Sequence, residues 1–340
     1  MRNWILGGIA VAFIAAIGLA FAMGVLNVGV NSGACMVDDE VPPAERQSAG
    51  DAGLAIANAI LTGDGAKASA MLTADARTAF PPDKLAKFMK AVNLMMGGLS
   101  HDTAVAHVYL VKSAGGGPDA RAICGSVSGD RWVSVEIKPG LRQAHVVITT
   151  QTRNNSWEFT TWLLPEGDGW RAQYVNVNPS AIIGYSVDDL LAMARRQRDT
   201  GHMFNAALLY AGVQQLINRG PSFQLGVVQT ANSEMQAFSL PSDLAGQPPF
   251  IWTMDGKAYA VAQVSIIGIG KQLGLVFVLP QKSWPSEMAI DAGSREFLDA
   301  FRKRHPDYAL SFSFLVARAM KPDNSGGFGT VYDNAKGYDR

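Results

Sequence analysis

Charge is scarce in this sequence, and neither sign is in surplus. Of 340 residues only 17% are Asp, Glu, Lys or Arg, with 29 cations against 29 acids, where a soluble chain usually carries about a quarter. Without a basic surplus the chain does not read as a nucleic-acid binder, and without an acidic one it does not read as a trap for cationic partners. Cysteine is limited to Cys35 and Cys124, and the histidines His101, His107, His145, His202 and His305 are scattered. Neither set has the paired spacing of a metal site, so no metal is expected. The chain also has no G-x-S-x-G nucleophile turn. Its glycine-rich run at 268–274 lacks the following helix and the G-K-[ST] ending of a phosphate loop. That run reads as a hairpin turn, and no cofactor is expected.

One long uncharged run is present. Residues 4–30 carry no ionisable side chain, and about 20 apolar residues are enough to cross a bilayer as a helix. Arg2 lies before the run and Asp38, Asp39 and Glu40 after it, which places the N-terminus in the cytoplasm and the bulk of the chain in a bacterial-type periplasm. The expectation is a single-pass inner-membrane anchor in residues 1–30. The alternative is a signal peptide cleaved after the small-x-small set Ala20-Phe21-Ala22. Either way the chain is exported. An oxidising compartment permits a Cys35–Cys124 bond without requiring it. Residues 31–51, rich in Pro, Ala, Gly and charge, read as a linker.

The stretch 132–177 alternates apolar and polar residues and holds two tight-turn signals, Asn154-Asn155 and Gly167-Asp168, as consecutive antiparallel strands do. Two-residue turns there pair Leu163 with Ala172, Thr161 with Tyr174, Thr150 with Phe159 and Ile148 with Thr161. One face then collects Val146, Ile148, Thr150, Trp157, Phe159, Thr161, Leu163, Ala172, Tyr174 and Asn176. It is the more apolar face and is expected to meet the preceding helices, of which residues 84–96 show the clearest stripe through Leu85, Phe88, Met89, Val92 and Met96. The other face, with His145, Glu158, Trp162, Arg171 and Gln173, is mixed and expected to face solvent. Thr150, Thr161, Tyr174 and Asn176 are the candidate groups for a small apolar ligand on the inner face. His145 and Trp162 are the candidate partner contact on the outer one.

Helices first, then a meander closing on Trp170-Arg171 and its strand, resembles the NTF2-like superfamily, the SnoaL-like and ketosteroid isomerase-like fold, over residues 52–178. That resemblance implies a curved antiparallel sheet wrapped on helices, often around a pocket. The inner face offers no carboxylate or histidine, which weighs against proton-transfer catalysis.

Beyond it, Ser186-Val187-Asp188-Asp189 forms a capping box, and two helices follow around Gly201. Gly201, Ala206, Ala207, Tyr210 and Val213 resemble a single tetratricopeptide-type hairpin within residues 179–228. A polar linker is expected at 229–249, a small α+β domain at 250–335 and a loose tail at 336–340. In that domain residues 250–264 form a hairpin about Asp255-Gly256, and Gly293-Ser294 opens a helix running to Arg304. Two basic clusters, Arg195-Arg196-Arg198 and Arg302-Lys303-Arg304, fall late in helices, where the dipole accommodates cations.

The expected protein is α+β: an N-terminal transmembrane helix, an NTF2-like domain, a helical hairpin and a C-terminal α+β domain. Its expected role is non-enzymatic, binding a partner protein or a small ligand in the periplasm, with no nucleic acid involved. An NTF2-like enzyme acting on a small apolar molecule and a structural part of an envelope assembly are the alternatives.

Overall fold

The structure is a computed structural model that describes residues 33–96, 102–113, 120–125, 132–152, 156–323 and 325–338. The chain divides into two compact units, Met1–Ser180 with Ile217–Asn232, and Ala181–Leu216 with Ser233–Arg340.

The first unit opens with strand β1 (Gly33–Val37) and a 3-10 turn at Asp38–Glu40. Four helices follow: α1 (Pro43–Thr62), α2 (Gly65–Ala70), α3 (Ala74–Ala79) and α4 (Pro82–Met96). Strands β2 (Thr103–Ser113), β3 (Arg121–Cys124), β4 (Val133–Glu136), β5 (Arg142–Gln151), β6 (Ser156–Glu166) and β7 (Gly169–Pro179) come next. The chain then runs through α5 (Val187–Asp199) and α6 (Met203–Ile217) of the second unit and returns to the first with strand β8 (Phe223–Leu225) and the start of α7 (Val227–Gln236).

The 31–51 segment read as a linker is therefore largely ordered structure. Pro43 sits in the first turn of α1, where its fixed φ and missing N–H cost nothing, and Gly63 closes the helix in the left-handed conformation at φ 74°. Its buried face carries Ala49, Gly50, Gly53, Ala57 and Ile60, and these small residues bring the helix close to the sheet. A Cβ on Gly53 would stand 2.9 Å from the Val146 side chain.

The main sheet is antiparallel in the order β1-β2-β5-β6-β7. Helices cover one face, where Ile56, Ile60, Leu85, Met89 and Val92 pack with Val146, Ile148, Trp157, Phe159 and Leu163 in one core. That much matches the face expected to be inner. The β5–β6 register places Thr150 opposite Trp157 and Ile148 opposite Phe159. This is two residues from the expected pairing, so the same side chains stay on the same face. The Asn154-Asn155 turn itself lies outside the described residues.

The opposite face departs from expectation. A second sheet, β3-β4-β8, lies over it and closes a second core from Tyr109, Val111, Ala122, Val135, Ile137, Val147 and Phe223. Strand β8 arrives from far along the chain. Its Phe223 is a single aromatic in a short polar stretch, so no periodic signal marks it. A disulfide between Cys35 of β1 and Cys124 of β3, with Cα atoms 5.2 Å apart, ties the two sheets together.

The expected membrane-led architecture is corrected. Among the described residues no helix is long and apolar enough to cross a membrane. The longest, α1, has 20 residues but bears Glu45, Arg46 and Asp51 and lies against the sheet. Residues 4–30, where the span was expected, lie outside the described residues.

In the second unit the expected capping box is present. The Ser186 hydroxyl accepts from the Asp189 N–H at 3.2 Å, and the Asp189 carboxylate accepts from the Ser186 N–H at 2.9 Å. Gly201 makes the α5–α6 turn at φ 84°, and α6 buries Phe204, Ala206, Leu209, Tyr210 and Val213. The passage read as a linker at 229–249 holds most of α7 and a 3-10 turn at Ser242–Leu244.

Strands β9 (Phe250–Met254) and β10 (Lys257–Val261) form the expected hairpin. Strands β11 (Gln263–Ile269) and β12 (Gln272–Pro280), helix α8 (Glu287–Arg304), and strands β13 (Phe314–Met320), β14 (Gly327–Asp333) and β15 (Gly337–Tyr338) complete a mixed sheet in sequential order. The glycine-rich run is the β11–β12 hairpin, as expected. Gly268 lies inside its strand because Ile183 packs where a Cβ would stand.

Helix α8 starts earlier than expected. Ser286 caps it, accepting from the Ala289 N–H at 3.2 Å, and Gly293 is tolerated mid-helix because Ile290, Phe297, Leu298 and Phe301 form one buried stripe. The expected loose tail is partly strand: β15 pairs with β14, and the Tyr338 ring lies under the Arg295 guanidinium, 4.7 Å from ring centre to Cζ.

Candidate functional site

A bulge on β7 decides where the candidate residues go. Leu163 pairs with Ala172 as expected, but Trp162 then pairs with Tyr174 and Thr161 with Val175. Gln173 is the extra residue, and an extra residue inverts the side-chain alternation beyond it. The bulge is held from outside the sheet. Helical-segment backbone docks on Ala172, with the Thr73 N–H donating to its carbonyl at 3.0 Å and its own N–H donating to the Met71 carbonyl at 2.8 Å. The Thr73 hydroxyl and the Lys138 ammonium both donate to Gln173 Oε1, at 2.9 and 3.3 Å.

The four candidate ligand residues are therefore split. Thr150 and Thr161 stay on the helix side, 1% and 0% exposed, and their hydroxyls meet no hydrogen-bond partner among the described residues. They lie on the face where side chains of α1 and α4 share one core with the sheet. Tyr174 and Asn176 lie on the other face. The Asn176 amide donates to Asn178 Oδ1 at 3.1 Å, and burial, with the nearby Glu136 carboxylate second, raises the Tyr174 hydroxyl above its ordinary pKa. The expected common site of Thr150, Thr161, Tyr174 and Asn176 does not form.

His145 and Trp162, expected as an exposed contact, are core. Tyr109, His145, Trp162 and Tyr174 form one transverse row across β2, β5, β6 and β7. The His145 ring stacks on Trp162 at 5.5 Å and 12° and faces Phe223 at 6.2 Å. Its exposure is 0%. The Nε2–H donates to the Glu136 carbonyl at 2.9 Å, which leaves Nδ1 as the neutral acceptor, without a partner among the described residues. Burial drives the His145 pKa down to about 3, with the Glu136 carbonyl opposing and Arg121 adding to the fall. An imidazole so placed stays neutral and holds the two sheets together. Trp162 donates from Nε1 to Gln143 Oε1 at 3.0 Å. Gln143 also binds the Lys138 backbone, accepting its N–H at 2.9 Å and donating to its carbonyl at 2.8 Å.

An ion pair closes the far end of this face. Arg219, with 3% of its side chain exposed, approaches Glu158 at 2.7 Å from Nη2 and 2.9 Å from Nε. Burial lowers the Arg219 pKa, and Glu158 opposes that shift. Sequence spacing gave no hint of it, since the partners are 61 residues apart.

No family model matches the chain, and no curated protein or solved structure matches it either. Nothing in these comparisons identifies an NTF2-like domain or a tetratricopeptide-type hairpin.

The open feature of this unit lies at the edge of the sheet. Strand β1 pairs with β2 only from Tyr109 to Ser113. At its end Asp38 turns the chain away at φ 48°, and its carboxylate accepts the Val108 N–H at 2.9 Å and meets His107 Nδ1 at 2.8 Å. Among the described residues no strand pairs with the outer edge of residues 103–107 of β2, where Ala104, Val105 and His107 are exposed and the register against β5 shifts between Val105 and His107. A cleft of about 430 Å³ runs beside this edge, floored by Gly50, Val105 and Val108 and rimmed by Asp38, Asp39, Arg46, Gln47 and Asp51. Its rim groups are already paired with each other, Arg46 with Asp39 and Gln47 with Asp51 at 2.8 Å.

Proposed function

We propose that the protein is a non-catalytic binding protein working outside the cytoplasm, and that it takes an extended segment of a partner protein along the outer edge of β2. The observation that carries this reading is the early end of β1, which leaves the outer edge of residues 103–107, paired with β5 on the other side, without a strand partner among the described residues, beside an open cleft. An added strand satisfies such an edge through its main chain, while neighbouring side chains select what enters. Here Val105 offers an apolar contact and the Asp39–Arg46 and Gln47–Asp51 pairs offer polar ones. The packed helix side of the sheet favours this over chemistry inside the unit, since α1 approaches Val146 so closely that a Cβ on Gly53 would stand 2.9 Å from it. Work outside the cytoplasm is supported by the Cys35–Cys124 bond, because such bonds persist in oxidising compartments.

The test places a photo-crosslinking residue at Ala104 of the full chain in its native cells. Adducts to one partner that disappear with Val105→Asp, while the melting temperature holds, support the reading. The same adducts in wild type and variant, or no adducts at Ala104, overturn it. In the same cells, thiols that react with an alkylating agent only after reduction support the location, and freely reacting thiols overturn it.

A further inference from the structure

In the two basic clusters, five of the six cations are matched by acids. In the second unit Arg195 and Arg198 meet Glu234, Arg302 meets Asp299, Lys303 meets Asp255 and Arg304 meets Asp243. Helix α4 is different. Its lysines Lys84, Lys87 and Lys90 are all exposed, and none forms an ion pair with a described residue. Asp83 is the single acid in the helix.

The spacing puts the three lysines on one arc, each three residues and about 60° of rotation from the last. Leu94 falls inside that arc and Phe80 stands just before the helix. They are 55% and 42% exposed, among the most exposed large apolar side chains of the first unit. The opposite side of α4 is fully committed, with Leu85, Met89, Val92 and Met96 buried in the core against α1 and the sheet. The outer face of α4 is thus basic, with Asp83 as its one acid and Leu94 as an apolar group near its end, while Phe80 flanks the helix start with its ring 6.0 Å from that of Phe88.

We propose that this face docks the first unit on an anionic phospholipid surface. Lysine ammonium groups reach the phosphates, and Phe80 and Leu94 enter the boundary between headgroups and acyl chains, which is how basic amphipathic faces lie on membranes. The two apolar ends select this over an acidic protein segment, which lysines alone would serve. The proposal rests on the extracytoplasmic reading only for placing such a surface near the protein. Its test in vesicles does not depend on where the protein resides or on what binds β2.

The experiment uses the full chain carrying Leu94→Cys with a nitroxide label, the native cysteines being closed as a disulfide. The protein is added to vesicles of phosphatidylcholine alone or with phosphatidylglycerol, and the label's accessibility to oxygen and to a water-soluble nickel complex is compared. The N-terminal apolar run contributes equally in every sample. The expected result is a label shielded from nickel only with phosphatidylglycerol, released by added salt, and lost with K84E/K87E/K90E. The weaker variant K84Q/K87Q/K90Q is expected to shift the label from the shielded to the exposed state roughly a hundredfold, with unchanged circular dichroism. A label equally exposed in both lipids overturns the proposal, as does shielding that survives both triple variants. Shielding by added polyglutamate with no response to phosphatidylglycerol assigns the ridge to an acidic protein and also overturns it.

Discussion

The Tyr174 hydroxyl stands 2.7 Å from where a Cβ on Gly220 would lie, so the ring that the β7 bulge turns outward is capped by a glycine backbone. Gly220 also holds φ 78°, a left-handed conformation that costs other residues. Gly220→Ala is expected to destabilise the first unit by about 2 kcal/mol. In a Tyr174→Ala background the clash is relieved but the strain is not, so the added cost falls to about 1 kcal/mol. Urea unfolding of the two pairs measures the difference; equal costs in both backgrounds would remove the contact from the account.

His145 gives the first unit an acid sensitivity. The unfolded imidazole protonates near pH 6.5, whereas burial holds the folded one to about 3. Below about pH 6.5 the unfolded chain binds the extra proton, so stability falls as pH drops, by up to about 1.4 kcal/mol per pH unit, and levels off near pH 3. His145→Gln keeps a donor for the Glu136 carbonyl and removes the titration. Its unfolding free energy is expected to lose this slope between pH 6 and 4; an unchanged slope would assign the sensitivity to other groups.

Glu158 is predicted to matter more for what it neutralises than for the bond it makes. Glu158→Gln leaves the Arg219 charge in a site with 3% exposure and is expected to cost about 3 kcal/mol. The double variant Glu158→Leu with Arg219→Met removes the buried charge as well as its partner. It is expected to be less costly than the single one, as read from chemical denaturation midpoints.

The Cys35–Cys124 bond closes a loop of 89 residues that holds α1 to α4 and the first strands. Losing such a constraint costs about 4 kcal/mol by chain entropy. Reduction or Cys35→Ser is therefore expected to lower the unfolding transition of the first unit and leave that of the second in place. Two resolved transitions moving together would contradict the division into units.

The second unit is where the sequence said most. The capping box at Ser186, the turn at Gly201 and the β9–β10 hairpin about Asp255-Gly256 are set by neighbours a few residues apart, and local chemistry decides them. Helix α8 was half legible, because Gly293-Ser294 resembles a start while the stripe from Ile290 to Phe301 runs straight through it.

In the first unit, alternation along β5, β6 and β7 determined that there is a meander and which half of it meets the helices. A two-residue error in the β5–β6 register changed no face, since the period is two. Tertiary structure decided the rest. The bulge at Gln173 depends on Met71 to Thr73 docking at Ala172, a hundred residues away, and it moved Tyr174 and Asn176 off the face that local alternation assigns them. His145 and Trp162 read as surface because the sheet that buries them is completed by Phe223, which no pattern near residue 150 can announce. Alternation reports which side chains share a face; only long-range packing determines what covers it.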